Sequence, residues 1–142
     1  MLAKTDSGRA VEMLEAALVE ARRIDAATAE RPRALVAVAT QMLALDRARA
    51  WELVSEAVKA SNAAPEFTGE DAQLMVRVQF RRGASTMNFN AESFDVTGLF
   101  STLAAEDFNR AVELARAFSG EAPRAAATLS AARVALEEKK KN

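Results

Sequence analysis

Apolar residues recur every three or four positions through Val11, Leu14, Leu18 and Ala21, with Met13, Ala17 and Ile24 widening the stripe. That period is the mark of an amphipathic helix, and it predicts one from Asp6 to about Ile24. The run "ERPRALVAVATQMLAL" opens a second helix. Glu30 suits the positive end of its dipole, Pro32 suits a first turn where an amide donor is not needed, and Leu35, Val38, Met42 and Leu45 make its buried stripe. Asp46 then reads as the N-cap of a third helix running to about Ala60, with Trp51, Val54 and Val58 on one side and Leu53 and Ala57 beside them. No glycine or proline separates the second and third helices, so their connection is short and they are expected to lie antiparallel.

The same pattern returns near the C-terminus. It predicts a helix from about Asp107 to Phe118, a glycine stop at Gly120 and a last helix entered through Pro123. "EAPRA" at 121 to 125 echoes "ERPRA" at 30 to 34, and both are followed by Ala-Leu, at 135 to 136 and at 44 to 45. The closing "EEKKKN" reads as a frayed helix end whose lysines complement the dipole.

Between these blocks the period changes from 3.6 to 2. After the loop "SNAAPEFTGED", Leu74, Val76, Val78 and Phe80 alternate with Met75, Arg77, Gln79 and Arg81, and Met87 and Phe89 alternate with Thr86, Asn88 and Asn90. Two strands joined by a turn are expected, a β-hairpin at about 73 to 91. A two-residue loop at Gly83-Ala84, with glycine first as a type II′ turn prefers, pairs positions whose numbers sum to 167 and sets Phe80 opposite Met87 and Val78 opposite Phe89. All seven phenylalanines fall after residue 66, so the apolar face of the hairpin is expected to pack on the C-terminal helices, including a short one near Thr97 to Ala105.

One phrase recurs across this plan. "DSGRAVEM" at 6 to 13, "DRARAWEL" at 46 to 53 and "DFNRAVEL" at 107 to 114 share D-x-x-R-A-x-E-[LM], with spacings of 46 − 6 = 40 and 107 − 46 = 61 residues. Aspartate caps, alanine permits a close helix crossing, the last residue is a core knob, and arginine with glutamate three positions on can pair on the wet face. The first spacing lies within the range of two-helix repeats. Over 6 to 60 and 107 to 138 the chain therefore resembles the α-solenoid superfamily of helical-hairpin repeats, TPR-like or HEAT-like, of a kind found in many bacterial proteins. The TPR Trp-x-x-Leu-Gly-x-x-Tyr signature is missing, while the Pro-Arg-Ala helix openings are similar to HEAT repeats. What the resemblance implies is a scaffold whose grooves bind peptides or proteins, with no catalytic residues to carry over.

Composition agrees with a helical chain. Thirty-three alanines stand against five glycines and three prolines in 142 residues, enough chain for one domain with its own core. The expected fold is mainly α: helical repeats over 6–60, loop, hairpin and short helix over 61–106, and a helical hairpin over 107–142. Nineteen basic residues balance twenty acidic ones, so no overall field draws the chain to nucleic acid or an anionic membrane. The segment beginning at Met1 carries no apolar run of signal-peptide or membrane-span length, so a soluble, cytoplasmic protein is expected.

The absence of cysteine, histidine and tyrosine removes thiolate chemistry, Ser-His and Cys-His nucleophiles and zinc sites built on Cys or His. No metal or other cofactor is expected. The candidate binding face is the polar side of the hairpin, Arg77, Gln79, Arg81, Arg82, Asn88 and Asn90, whose guanidinium and amide donors suit an acidic peptide or a phosphate backbone. A solvated strand face accounts for the same residues without a ligand. Glu92, Asp95, Glu106 and Asp107 are the carboxylates that a glycosidase-type pair or an oxygen-ligand metal site would use, but Glu106 and Asp107 are better explained as helix-start charges. Ser55 and Lys59, one helical turn apart, formally make a Ser-Lys pair. Trp51 reads as a packing residue. The primary expectation is a non-catalytic protein-interaction or scaffold module with a protein or peptide partner. A homodimer through the free strand edge is a second interface, a nucleic-acid or anionic-ligand binder is the alternative function, and a carboxylate enzyme is the third.

Overall fold

The computed structural model describes residues 2–69, 73–90 and 95–142, with side chains described for 6–69, 81–84 and 95–142. These residues are mainly helical. Helix α1 spans Leu2–Arg23, α2 Glu30–Met42 and α3 Arg47–Asn62, followed by strands β1 (Gln73–Phe80) and β2 (Gly83–Asn90); then come α4 (Val96–Glu106), α5 (Phe108–Arg116) and α6 (Glu121–Lys141). Among the described residues no helix is long and apolar enough to cross a membrane.

Local chemistry sets most of these boundaries. Asp46 is extended and its carboxylate accepts from the Arg49 amide at 3.0 Å; Asp107 repeats the arrangement with the Arg110 amide at 3.1 Å. Each cap satisfies one of the amide donors that a helix start leaves unpaired. Asp95 caps α4 through Thr97, accepting from its amide at 2.8 Å and its hydroxyl at 2.6 Å. The first motif copy differs, because α1 begins at Leu2 and Asp6 lies inside the helix rather than at its cap. Pro32 and Pro123 each stand third in their helix, and both are fully buried. Gly120 is no terminator of α5, which ends at Arg116; with φ −71° it is the N-cap residue of α6. The Glu-Glu-Lys-Lys-Lys stretch belongs to α6, which continues to Lys141.

The core is aliphatic in its first half and more aromatic in its second. Leu18, Leu35, Val38, Met42, Trp51, Leu53, Val54 and Val58 are buried as their spacing predicts. Leu45 is not, at 38% exposed, because it stands in the turn after α2 that delivers the chain to Asp46. Met13 is the motif knob of the first copy and is 72% exposed, whereas its counterpart Leu53 is fully buried. Phe67, Phe100 and Phe118 form part of the second half's core, with the Phe100 and Phe118 rings 5.8 Å apart and tilted. Phe108 is 41% exposed, and the side chains of Phe80, Phe89 and Phe94 lie outside those described.

β1 and β2 pair antiparallel with Phe80 opposite Gly83, Val76 opposite Met87 and Leu74 opposite Phe89. Each pair sums to 163, four less than the register the sequence predicted. The turn is Arg81-Arg82, and neither residue has positive φ, so a type II′ turn is absent. Glycine still supplies an unusual backbone at Gly83 (φ 155°), but as the residue after the turn. The four-position slide is even, so Leu74, Val76 and Val78 still share a strand face with Met87 and Phe89. Whether that face packs on the C-terminal helices concerns side chains outside the described residues.

Helix α2 packs on α3 and α1, α6 packs on α4 and α5, and the two groups meet where α2 touches α4 and α3 touches α5. The loop before β1 is fastened to the second group. Gly69 adopts φ 80°, its carbonyl accepts from the Val96 amide at 3.1 Å, and a β-carbon there would stand 3.1 Å from Val96 Cγ2. Gly69→Ala is therefore expected to lower unfolding free energy by about 1–3 kcal/mol, the cost of a strained positive-φ residue. Gly98 in α4 has open space at its β-carbon position, so Gly98→Ala is expected to be neutral or to stabilise by up to ~1 kcal/mol. Urea denaturation of the two variants measures both effects, and equal losses in both would contradict this assignment.

Candidate functional site

The recurring arginine joins helices that are far apart in sequence. Arg49 forks onto Glu15 of α1, with Nε 2.8 Å from Oε1 and Nη2 3.2 Å from Oε2, while Nη1 reaches Glu52 on its own helix at 2.9 Å. Arg22 of α1 forks onto Glu56 of α3 at 2.7 and 2.8 Å. Both interhelical pairs span 34 positions, so advancing seven residues on α1 advances seven on α3, and the two helices run parallel. In the third copy Arg110 lies over the Trp51 ring, 4.4 Å from its centroid. Arg47 pairs with Glu106, whose other oxygen accepts the Trp51 indole N–H at 3.3 Å. The Arg47–Glu106 and Trp51–Arg110 contacts share an offset of 59. At the far ends Asn62 donates to the Ala117 carbonyl at 2.9 Å and accepts from the Ser119 amide at 2.7 Å. Start meets start and end meets end, so α3 and α5 are parallel as well.

These contacts account for most of the carboxylates named as possible catalysts. Asp95 and Asp107 are caps, Glu106 is held by Trp51 and Arg47, and Glu92 lies outside the described residues. Trp51 is only 3% exposed, which leaves no open ring face for a ligand. Of the predicted binding face, Arg81 and Arg82 project from the β1–β2 turn and are exposed. By register Arg77 stands opposite Thr86, Gln79 opposite Ala84, Asn88 opposite Met75 and Asn90 opposite Gln73. The side chains of these four lie outside those described. Arg81 thus belongs to the turn with Arg82 instead of to strand β1.

A groove that the sequence reading missed runs between α4 and α6. Two clefts of about 600 and 500 Å³ adjoin at Ser101, which lines both. The α4 wall is small: Gly98, Ser101, Thr102 and Ala105 follow one another at helical spacing on the side away from buried Leu99, Phe100 and Leu103. The α6 wall carries Leu129, Arg133 and Val134, and one end is charged through Glu137, Glu138 and Lys141, with the Arg47–Glu106 pair beside them. The signal was present as a small-residue stripe at positions 98, 101, 102 and 105, which leaves volume between two packed helices. A smaller cleft of about 240 Å³ beside α3 holds Arg31, Glu56 and Lys59, and Glu56 there is already bound by Arg22. No family model matches the chain, and neither a curated protein nor a solved structure matches it significantly.

The ion pairs set a pH dependence. The hydrogen bond from Arg49 holds the Glu15 carboxyl below its ordinary range, that from Arg22 does the same to Glu56, and the Trp51 N–H followed by Arg47 lowers Glu106. A carboxylate with a depressed folded pKa binds fewer protons when folded. Its stabilisation is complete above the unfolded value, about 4.3, and disappears as pH falls through the folded value. Acidification below about pH 4.5 is therefore expected to lower the urea midpoint, and an Arg22→Gln, Arg49→Gln variant should lose less on acidification than the parent. Parallel curves for the two proteins would contradict this assignment.

Proposed function

We propose that the chain is a non-catalytic protein-interaction module of helical-repeat type, a short solenoid-like array whose docking surface is the α4/α6 groove. The single observation behind this reading is the open, small-walled groove centred on Ser101. The parallel order of α1, α3 and α5, with α2 against α4 and α3 against α5, supports successive hairpins stacked in register, and β1–β2 is then an insertion between two of them. The groove suits a protein segment with small apolar anchors and a basic end directed at Glu137 and Glu138.

A random-peptide display library panned on the chain tests this. Enriched sequences should combine small apolar residues with Lys or Arg, and Ser101→Tyr with Thr102→Arg should weaken their binding about tenfold or more while leaving the circular dichroism spectrum unchanged. No enrichment, or equal binding by the variant, would contradict the reading. The second reading, an anionic or nucleic-acid ligand on the hairpin, draws on the exposure of Arg81 and Arg82. It requires heparin retention to fall in an Arg77→Ala, Arg81→Ala, Arg82→Ala variant, and an unchanged elution salt would remove it.

A further inference from the structure

Helix α6 is apolar on two opposite sides. One side is packed, with Pro123, Ala126, Ala127, Ser130 and Ala131 buried against α4 and α5. On the other, Ala122, Ala125, Leu129, Ala132 and Leu136 are all exposed, the two leucines at 69% and 62%. Their spacing is 3, 4, 3 and 4, the heptad spacing that keeps a seam facing a partner helix over two or more turns. The seam is about 21 Å long at 1.5 Å per residue.

We propose that this seam binds the same seam of a second copy, making an antiparallel α6–α6 homodimer about a two-fold axis at Leu129. A parallel pair would set like against like along the whole seam and Glu121 against Glu121, whereas the antiparallel direction sets large against small at its ends. Centred on Leu129, the axis pairs positions whose numbers sum to 258: Leu129 meets Leu129 of the second copy and Leu136 meets Ala122, with Ala125 and Ala132 one position off that register between them. Each outer leucine thus meets an alanine, so large fits small in both halves of the seam. The charges agree. Glu121 and Lys139 are 18 residues apart, five full turns at 3.6 residues per turn, so they lie on one flank of the seam. Antiparallel packing about Leu129 brings Glu121 of each chain beside Lys139 of the other, and symmetry makes that attraction twice. The other flank carries Arg133 and Lys140, which this register keeps apart from each other. The α4/α6 groove shares Leu129 with the seam, whereas Leu136 lies outside the groove lining, so Leu136→Asp is the variant that separates loss of the dimer from loss of peptide binding.

Light scattering of the chain at about 100 µM, with a dilution series by analytical ultracentrifugation, tests the proposal. The expected mass is twice 15.3 kDa. Leu129→Asp and Leu136→Asp should each give the single-chain mass with unchanged helix content, since both sites are exposed in one copy. Glu121→Lys should weaken dimerisation on the order of tenfold, and adding Lys139→Glu to that variant should restore it. A single-chain mass for the parent would overturn the proposal, as would a dimer insensitive to Leu129→Asp, which would place the interface elsewhere, such as on a strand edge. If an aspartate variant loses helix content, the charge swap decides: absence of rescue by the double reversal overturns the two-fold register.

Discussion

Trp51 is the centre of the contacts through which the two halves of the chain hold each other, with Arg47 beside it and Asn62 at the far end of α3. Its ring is buried on α3, its indole N–H reaches Glu106 at the end of α4, and Arg110 of α5 closes over its face. Few backbone positions of α2 and α3 come close to α4 and α5, so side-chain contacts of this kind fix how the two groups sit. The constraint explains the repeated phrase. An aspartate cap sets where α3 and α5 begin, a fully buried alanine, Ala50 or Ala111, lets each approach its neighbours, and the arginine three positions after the cap reaches to the preceding parallel helix. Arg49 finds a carboxylate on α1, and Arg110 finds an aromatic face on α3. A guanidinium suits both partners because it is planar, permanently charged and able to fork or stack.

The ladder leaves two places unfilled. Parallel helices held from one side leave α4 and α6 to meet across small side chains, and the groove at Ser101 results. Helix α6 lies against the body through alanines and a serine, which allows close packing on one side without using its leucines. The leucines remain on the opposite side.

The helices were legible in the sequence because their signals are local. Apolar spacing placed α2, α3 and α5 within a few residues, and Asp46 and Asp107 act as the caps their positions predicted. Asp6 failed as a cap because helical propensity carries α1 past it to Leu2, and Gly120 starts a helix instead of ending one. The hairpin register slipped because Gly83 was assigned the first turn position, whereas consecutive arginines of ordinary φ make the turn and glycine follows them. Of the candidate binding face, Arg81 and Arg82 are placed, in the turn and exposed. The groove was not legible, since small residues on α4 announce space only once the helix that walls it is known. Nor was the parallel order of α1, α3 and α5, which depends on arginine contacts spanning 34 and 59 positions.

The Trp51 junction couples the two halves, and a double-mutant cycle between Trp51→Phe and Glu106→Gln measures that coupling. Trp51→Phe keeps an aromatic ring but removes the N–H, and Glu106→Gln removes the charge that accepts it. Urea unfolding of the parent, both single variants and the double variant should show a double-variant loss smaller than the sum of the two single losses, as for residues in one hydrogen-bonded network. Additive losses would show that the two side chains stabilise their own halves independently, which would contradict the account.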